Sequence, residues 1–375
     1  QGHLAPGTVV AVVHRVMQRT QQSIMQGVFR QVHSIGSAWA TARRGAAMVS
    51  TLDTAHPGDM SALSRWLQEN PTAKPRCLLG KTEGNGCVND FTRGYASHMV
   101  DAVLGARRGD ASIIMSGGTE GVLVPHLLLF ADGGPEHNGI KPGDKRLSYG
   151  VARTRDLTPH ELGRGEQIEA TRDAVLEACA AADLMPEDVC FAQIKCPLLT
   201  PDRMSTASSP CITTDSYKSM AYSRGASALG VALATSELSD ANLGTLVDGV
   251  CENFALVSMV ASASAGIELM HSEVFVFGNS SSSRSKLKAA KCVMCDPIDI
   301  QPIFRMLRSA NIAIEDGAVA PAAAGRVKAV LAKADPVPQV RGYRTTMLSD
   351  SDVNATRHAR ASVAGLLAGT FGTPQ

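Results

Sequence analysis

Asp90-Phe91-Thr92-Arg93-Gly94-Tyr95-Ala96 returns, altered, as Met220-Ala221-Tyr222-Ser223-Arg224-Gly225-Ala226 and again as Asn354-Ala355-Thr356-Arg357-His358-Ala359. Each stretch sets a hydroxyl side chain and then an arginine at the start of a helical pattern. The arginines stand 131 and 133 residues apart. A lysine precedes each arginine, at or near the close of an apolar run: Lys81 after Leu78-Leu79-Gly80, Lys195 after Ala192-Gln193-Ile194, and Lys333 after Val330-Leu331-Ala332. Beyond the first two arginines a serine sits in a turn of small residues, Ser116-Gly117-Gly118-Thr119-Glu120 and Ser264-Ala265-Gly266-Ile267-Glu268, which match at serine, glycine and glutamate. A fixed order recurring at a long period marks a fold assembled from copies. At the spacing of the first two copies a third serine would fall beyond Gln375, so the third copy is expected to be truncated, without its final strand.

Between these markers strands and helices alternate, the pattern of α/β packing. Strands are expected over Ala111–Ser116, Leu147–Thr154, Val189–Lys195 and Glu273–Phe277. Helical spacing follows Thr92, runs from Pro159 to Ala182, from Tyr217 to Glu237 and from Pro297 to Ala310, and resumes after Asn354. The Gly133–Gly143 and Ser280–Ser285 stretches have linker composition. The expected organisation is three α/β repeats over 48–140, 141–285 and 286–375, the third incomplete. A leader of 1–47 is set aside from the fold. That leader carries Arg15, Arg19, Arg30, Arg43 and Arg44 with no Asp or Glu, which is either transit-like composition or upstream sequence ahead of a start at Met48.

Composition narrows the function classes. A length of 375 residues favours two or three domains. A formal net charge of +1 with 19% charged residues implies neither an acidic tail nor a nucleic-acid surface, so a small neutral ligand fits better. Nine cysteines without framework spacing point to a reduced, cytoplasmic chain, and Cys292 and Cys295 form a CxxC that has no second pair. No apolar stretch of about 18 residues predicts a membrane span. Gly80-Lys81-Thr82 imitates the end of a phosphate loop, but Pro75 stands where that loop needs glycine. No GxSxG surrounds Ser116 or Ser264, and His98, His126, His271 and His358 lack ligand spacing.

The recurring trio carries chemistry of its own. A serine becomes a nucleophile when a base takes its proton, and a lysine whose pKa is lowered by burial or a neighbouring cation can be that base. Small residues after the serine, Gly117-Gly118 and Ala265-Gly266, leave backbone N–H groups open to a carbonyl, as an oxyanion hole requires. Arginines add permanently charged donors for further carbonyl oxygens. Each residue alone has a plainer explanation, a solvated lysine, an ordinary turn or a surface arginine; their joint recurrence favours a site.

Five blocks then resemble the signature blocks of the cyanuric acid hydrolase and barbiturase family of cyclic amide hydrolases: Gly80-Lys81-Thr82-Glu83-Gly84-Asn85-Gly86-Cys87-Val88-Asn89-Asp90, Met115–Gly121, Lys195–Pro201, Tyr222–Gly230 and Met347–Asp352. The resemblance runs from about Thr54 to about Ala364. It implies three α/β repeats around a pseudo-threefold axis, one central active site and a homotetramer. It also implies Ser264 as nucleophile with Lys195 as its base. Substrate would be bound by Lys81, Ser116 and Lys333, by the backbone of Gly117 and Ala265, and by Arg93, Arg224 and Arg357, each arginine on one ring carbonyl. The implied reaction opens cyanuric acid to a carboxybiuret, then biuret and carbon dioxide, with no catalytic cofactor. The alternatives are barbiturase, opening barbituric acid to ureidomalonate, and a truncated relative that binds a cyclic imide without turnover. A structural metal that the resemblance places with a glycine-rich tail is expected to be absent.

Overall fold

A computed structural model describes residues 7–15, 46–239, 243–253 and 255–375. In chain order the elements are β1 (Thr8–Arg15), β2 (Ala46–Asp53), α1 (Ser61–Glu69), β3 (Lys74–Thr82), α2 (Phe91–Leu104), β4 (Ser112–Gly117), β5 (His126–Gly134), β6 (Arg146–Arg153), α3 (Gly165–Ala182), β7 (Val189–Pro197), α4 (Pro201–Ser205), α5 (Ser216–Ala234), α6 (Leu243–Asp248), β8 (Ala261–Gly266), β9 (Glu273–Ser280), β10 (Leu287–Met294), α7 (Gln301–Ser309), the ladder β11 (Ile314–Glu315) with β12 (Ala318–Val319), β13 (Val327–Ala332), the ladder β14 (Gln339–Val340) with β15 (Tyr343–Arg344), and α8 (Ala355–Phe371).

Two four-stranded sheets repeat one plan, in the orders β2-β5-β3-β4 and β6-β9-β7-β8. In each, the second and third strands of the unit run parallel across a helix, β3-α2-β4 and β7-α5-β8, and the fourth returns antiparallel between the first and second. The third sheet has the order β10-β1-β13. The four expected strands form within a few residues of their expected limits, as do four of the five expected helices; α3 begins at Gly165, after a separate 3-10 turn at Pro159–Glu161, and the recurring blocks fall on equivalent elements of the first two units.

One expectation is corrected. Thr8–Arg15, set aside with the rest of 1–47, is the middle strand of the third sheet, parallel to β10 on one side and to β13 on the other. Its Val9-Val10-Ala11-Val12-Val13 run is 0–2% exposed, as a strand covered on both faces requires. The basic composition of the surrounding segment hides this short apolar run; Arg19, Arg30, Arg43 and Arg44 lie outside the described residues.

The sheets turn their inner faces to one shared core and their outer faces to helices. In the shared core, Val10 and Val12 join Val49, Leu79, Phe130, Phe191, Phe275, Phe277, Ala289 and Leu331. Phe130 sits at its centre, with ring centroids of Tyr149, Phe275 and Phe277 at 5.8, 4.7 and 5.8 Å. Outside, α1 and α2 cover the first sheet, α3 and α5 the second, and α7 and α8 the third. Helix α3 approaches its sheet so closely that a Cβ on Gly150 would lie 1.9 Å from the Ala178 carbonyl oxygen, so only glycine fits there. Because the inner core is common property, a void in it weakens all three units: Phe130→Ala should destabilise the chain by about 3–5 kcal/mol, read as a lowered urea midpoint.

Candidate functional site

The strand order converts the recurring trio into a cluster. Lys81 is the penultimate residue of β3 and Ser116 that of β4, and the two are direct partners in the parallel ladder. Lys195 on β7 and Ser264 on β8 are partners in the same way. Residues in register on neighbouring parallel strands face the same side of the sheet, so each serine stands beside its lysine at the carboxyl edge. Between the strands lies the helix that carries the arginine, Arg93 in the first turn of α2 and Arg224 in α5.

These edges close around a cavity of about 370 Å³, lined among others by Lys81, Ser116, Gly117, Arg93, Arg224, Ser264, Ala265 and Lys333. On the third side the cavity runs along Val330–Pro336 and beneath Val363, Ala364 and Leu367 of α8. There the first two sheets have their serine strand; among the described residues no strand pairs with that edge of β13, and Lys333 faces no serine.

Two expected residues sit differently. Lys195 is 1% exposed and lies behind the wall, not on it. Its Nζ donates to the Met115 carbonyl oxygen at 2.7 Å and pairs with Glu268 Oε1 at 2.7 Å. Burial lowers its pKa, Glu268 opposes that shift, and nearby Arg93 adds to it. Glu268 is in turn pushed up by its own burial but held below the usual carboxylate range by the Lys195 ammonium. Arg357 is the second departure: it donates to the Asn85 carbonyl oxygen at 3.2 Å outside the cavity, while Arg360, one helical turn on, lines it. Arg360 forms a forked pair with Glu120, at 2.7 Å through Nε and 2.5 Å through Nη2.

Arg93 reaches the cavity but is already engaged. Its Nη1 donates to the Ala265 carbonyl oxygen at 2.6 Å and its Nη2 to the Cys87 carbonyl oxygen at 2.5 Å. It thereby ties the first unit to the turn that follows Ser264. The loop before α2 is built on Asp90, whose carboxylate caps the helix at Thr92 N–H (3.0 Å) and also accepts from Gly86 N–H (2.9 Å). A Cβ on Gly117 would lie 2.0 Å from Asp90 Oδ2 and 2.9 Å from the Gly86 Cα, so the glycine after Ser116 is required by packing. Ser264 Oγ is buried with no hydrogen-bond partner among the described residues, an arrangement that costs stability and leaves the hydroxyl unencumbered.

Glu120, Glu268 and His126 were not among the expected site residues. The two glutamates each stand four residues after a serine, a recurrence visible in the sequence to which no role was attached. His126 is the ladder partner of Lys81 across β5, and no periodicity marks it. Among the described residues no three His, Cys, Asp or Glu side chains gather as a possible ligand set. All nine cysteines are free thiols, and no described helix is long and apolar enough to cross a membrane.

Burial, with the Arg360 charge adding to it and Glu120 opposing, lowers the Lys81 pKa to about 8. The folded-state value lies below the unfolded one, so the cost of burying this ammonium is fully present below about pH 8 and is relieved as pH rises from there through 10.5. Lysine-selective NMR should give Lys81 a midpoint near 8, and Glu120→Gln, which removes the charge favouring the ammonium, should move that midpoint down.

Residues 48–375 match the family described as amidohydrolase ring-opening protein. The cyanuric acid amidohydrolase of Bradyrhizobium diazoefficiens is 46% identical over 338 residues, which span 85% of this chain and 89% of the relative. That of Pseudomonas sp. strain ADP is 44% identical over 332 residues, 84% of this chain and 89% of the relative. A solved cyanuric acid hydrolase, described as an innovation by structural concatenation, superposes with a TM-score of 0.76 at 39% identity, covering 88% of this chain and 93% of the other. Another, from A. caulinodans, gives 0.74 at 38% identity over 88% and 92%. The repeated sheets, the paired lysines and serines and these likenesses agree: the chain belongs to the ring-opening amidohydrolases.

Proposed function

We propose that this chain opens the ring of cyanuric acid by hydrolysis, with Ser264 as nucleophile and Lys195 as its base. The observation that carries the reading is the ladder pairing of Lys195 with Ser264, whose buried Oγ has no hydrogen-bond partner among the described residues, at the wall of a cavity rich in cationic donors. Cyanuric acid presents three equivalent carbonyls on one ring, which suits a site built from repeated units.

In the proposed sequence Ser264 Oγ attacks a ring carbonyl carbon while its proton passes to the neutral Lys195 amine, a form that burial favours. Backbone N–H groups of the Ala265-Gly266 turn stabilise the oxyanion. The carbonyl re-forms, the C–N bond breaks, and the Lys195 proton goes to the departing ring nitrogen. Water then adds to the acyl carbon, giving its proton to Lys195, and the Ser264–acyl bond breaks with return of a proton to Oγ. The product, a carboxybiuret, loses carbon dioxide to give biuret. Arg93 fixes the Ala265 carbonyl, and hence the turn, before substrate arrives. Lys81, Ser116, Arg224, Lys333 and Arg360 hold the other carbonyls by charge and hydrogen bonds. These steps require no cofactor. A cytoplasmic homotetramer goes with this assignment.

Purified chain should release biuret and carbon dioxide from cyanuric acid, with barbituric acid run in parallel. Turnover of barbituric acid alone would make it a barbiturase, and binding of either ring without turnover would make it a non-catalytic relative. Ser264→Ala should lower kcat by roughly 10³-fold or more, while Ser116→Ala should retain measurable turnover. Equal losses from the two would remove Ser264 as the nucleophile.

A further inference from the structure

In each of the first two sheets the neighbour of the lysine strand sets an ionisable residue beside the lysine. His126 on β5 is the ladder partner of Lys81, and Glu273 on β9 is that of Lys195. In the third sheet the corresponding place belongs to β1, which runs parallel to β13 where β5 and β9 run antiparallel to their lysine strands. Its ladder ends with Val13 opposite Ala332, and the Lys333 N–H donates to the Val13 carbonyl oxygen at 3.1 Å. His14 follows Val13 on β1 and Lys333 directly follows the last residue of β13, so the two stand next to each other where the ladder ends, with the Lys333 ammonium 3.9 Å from Asp335 Oδ2.

His14 is 2% exposed. Its Nε2 faces the Cys190 carbonyl oxygen at 3.1 Å, and because a carbonyl only accepts, Nε2 carries the proton. Its ring lies 5.7 Å from that of Phe191, which lines the cavity. Nδ1 is left as a buried acceptor without a partner among the described residues. The lowering of its pKa to about 4, due first to burial and also to the Lys333 and Lys291 charges, is consistent with a neutral ring close to Lys333.

We propose that β1 completes the third unit of the site and that His14 is a positioning residue, anchored on the second unit at Cys190 and fixing Lys333 at the cavity wall. A segment upstream of the family-matching residues thus supplies part of the site's frame. The consequence for substrate rests on the ring-opening reading; the alignment of Lys333 does not.

The test uses the full chain with His14→Leu, which removes both ring nitrogens, and His14→Gln, which keeps a donor toward Cys190. Val12→Asp serves as a strand-breaking control. Amide exchange over 327–333 should be slow in the unaltered chain, and the Lys333 amide should exchange about tenfold faster in His14→Leu and recover in His14→Gln. Val12→Asp should speed exchange over all of 327–333 and, because Val12 sits in the shared core, loosen 189–197 as well, whereas His14→Leu should act at the Lys333 amide. With cyanuric acid, His14→Leu should raise KM roughly tenfold with kcat little changed. Fast exchange over 8–15 in the unaltered chain, or an unchanged Lys333 amide in His14→Leu, overturns the proposal whether or not a ring is turned over. A fall in kcat at constant KM overturns the positioning role. Absence of turnover in the unaltered chain, with the exchange results as expected, overturns the functional reading alone.

Discussion

Everything at the site depends on the parallel pairing of a lysine strand with a serine strand in one register. A strand, a crossover helix and a second parallel strand bring three points together: the carboxyl end of one strand, the helix that follows it, and the carboxyl end of the next. That is why lysine, arginine and serine recur in this chain order. It is also why Lys195 and Ser264, 69 positions apart in the sequence, are direct ladder partners. A one-residue slip would turn one of them to the opposite face. The register is defended by packing at the turns, as where Gly117 leaves no room for a side chain against Asp90 and Gly86.

The second constraint is electrostatic. Lys81, Arg93, Arg224, Lys333 and Arg360 line one small space with Lys195 just behind its wall, and like charges in a poorly solvated site repel and resist burial. The fold answers with one glutamate per serine turn, Glu268 against Lys195 and Glu120 against Arg360. Main-chain carbonyls, as at Arg93, absorb further donors. Burial lowers the pKa of both Lys81 and Lys195, and the paired glutamates oppose that shift, so the ammonium forms are held at a cost in stability.

Much of this was legible in the sequence, for identifiable reasons. The repeat markers exposed the units because in the first two they fall on the same elements of a strand-helix-strand crossover, and the Lys195-Ser264 and Lys81-Ser116 partnerships follow once those strands are parallel. Other parts depend on contacts that no local pattern encodes. Arg360 replaces Arg357 at the cavity because both share a face of α8 and only the deeper one meets Glu120. His126 is brought to Lys81 by an antiparallel return that the sequence does not announce. The strand at Thr8–Arg15 was obscured by the acid-free composition around it, which suggested a leader, although its five-residue apolar run is what a doubly covered strand needs.

The place of β1 also bears on how the molecule assembles. Its ladder partners, Leu287–Met294 and Val327–Ala332, follow it by 279 residues (Thr8 to Leu287) and 318 residues (Val9 to Val327). The first and second sheets close from strands within their own stretches, whereas the third joins an early segment to late ones, a contact of high sequence separation that carries a large loop-closure entropy. During synthesis the Val9–Val13 run must therefore wait, apolar and unpaired, until its partners have been made, which exposes the nascent chain to misassociation. Assembly of the third sheet is a late step of folding, and the side of the cavity bearing Lys333 takes its final form with it.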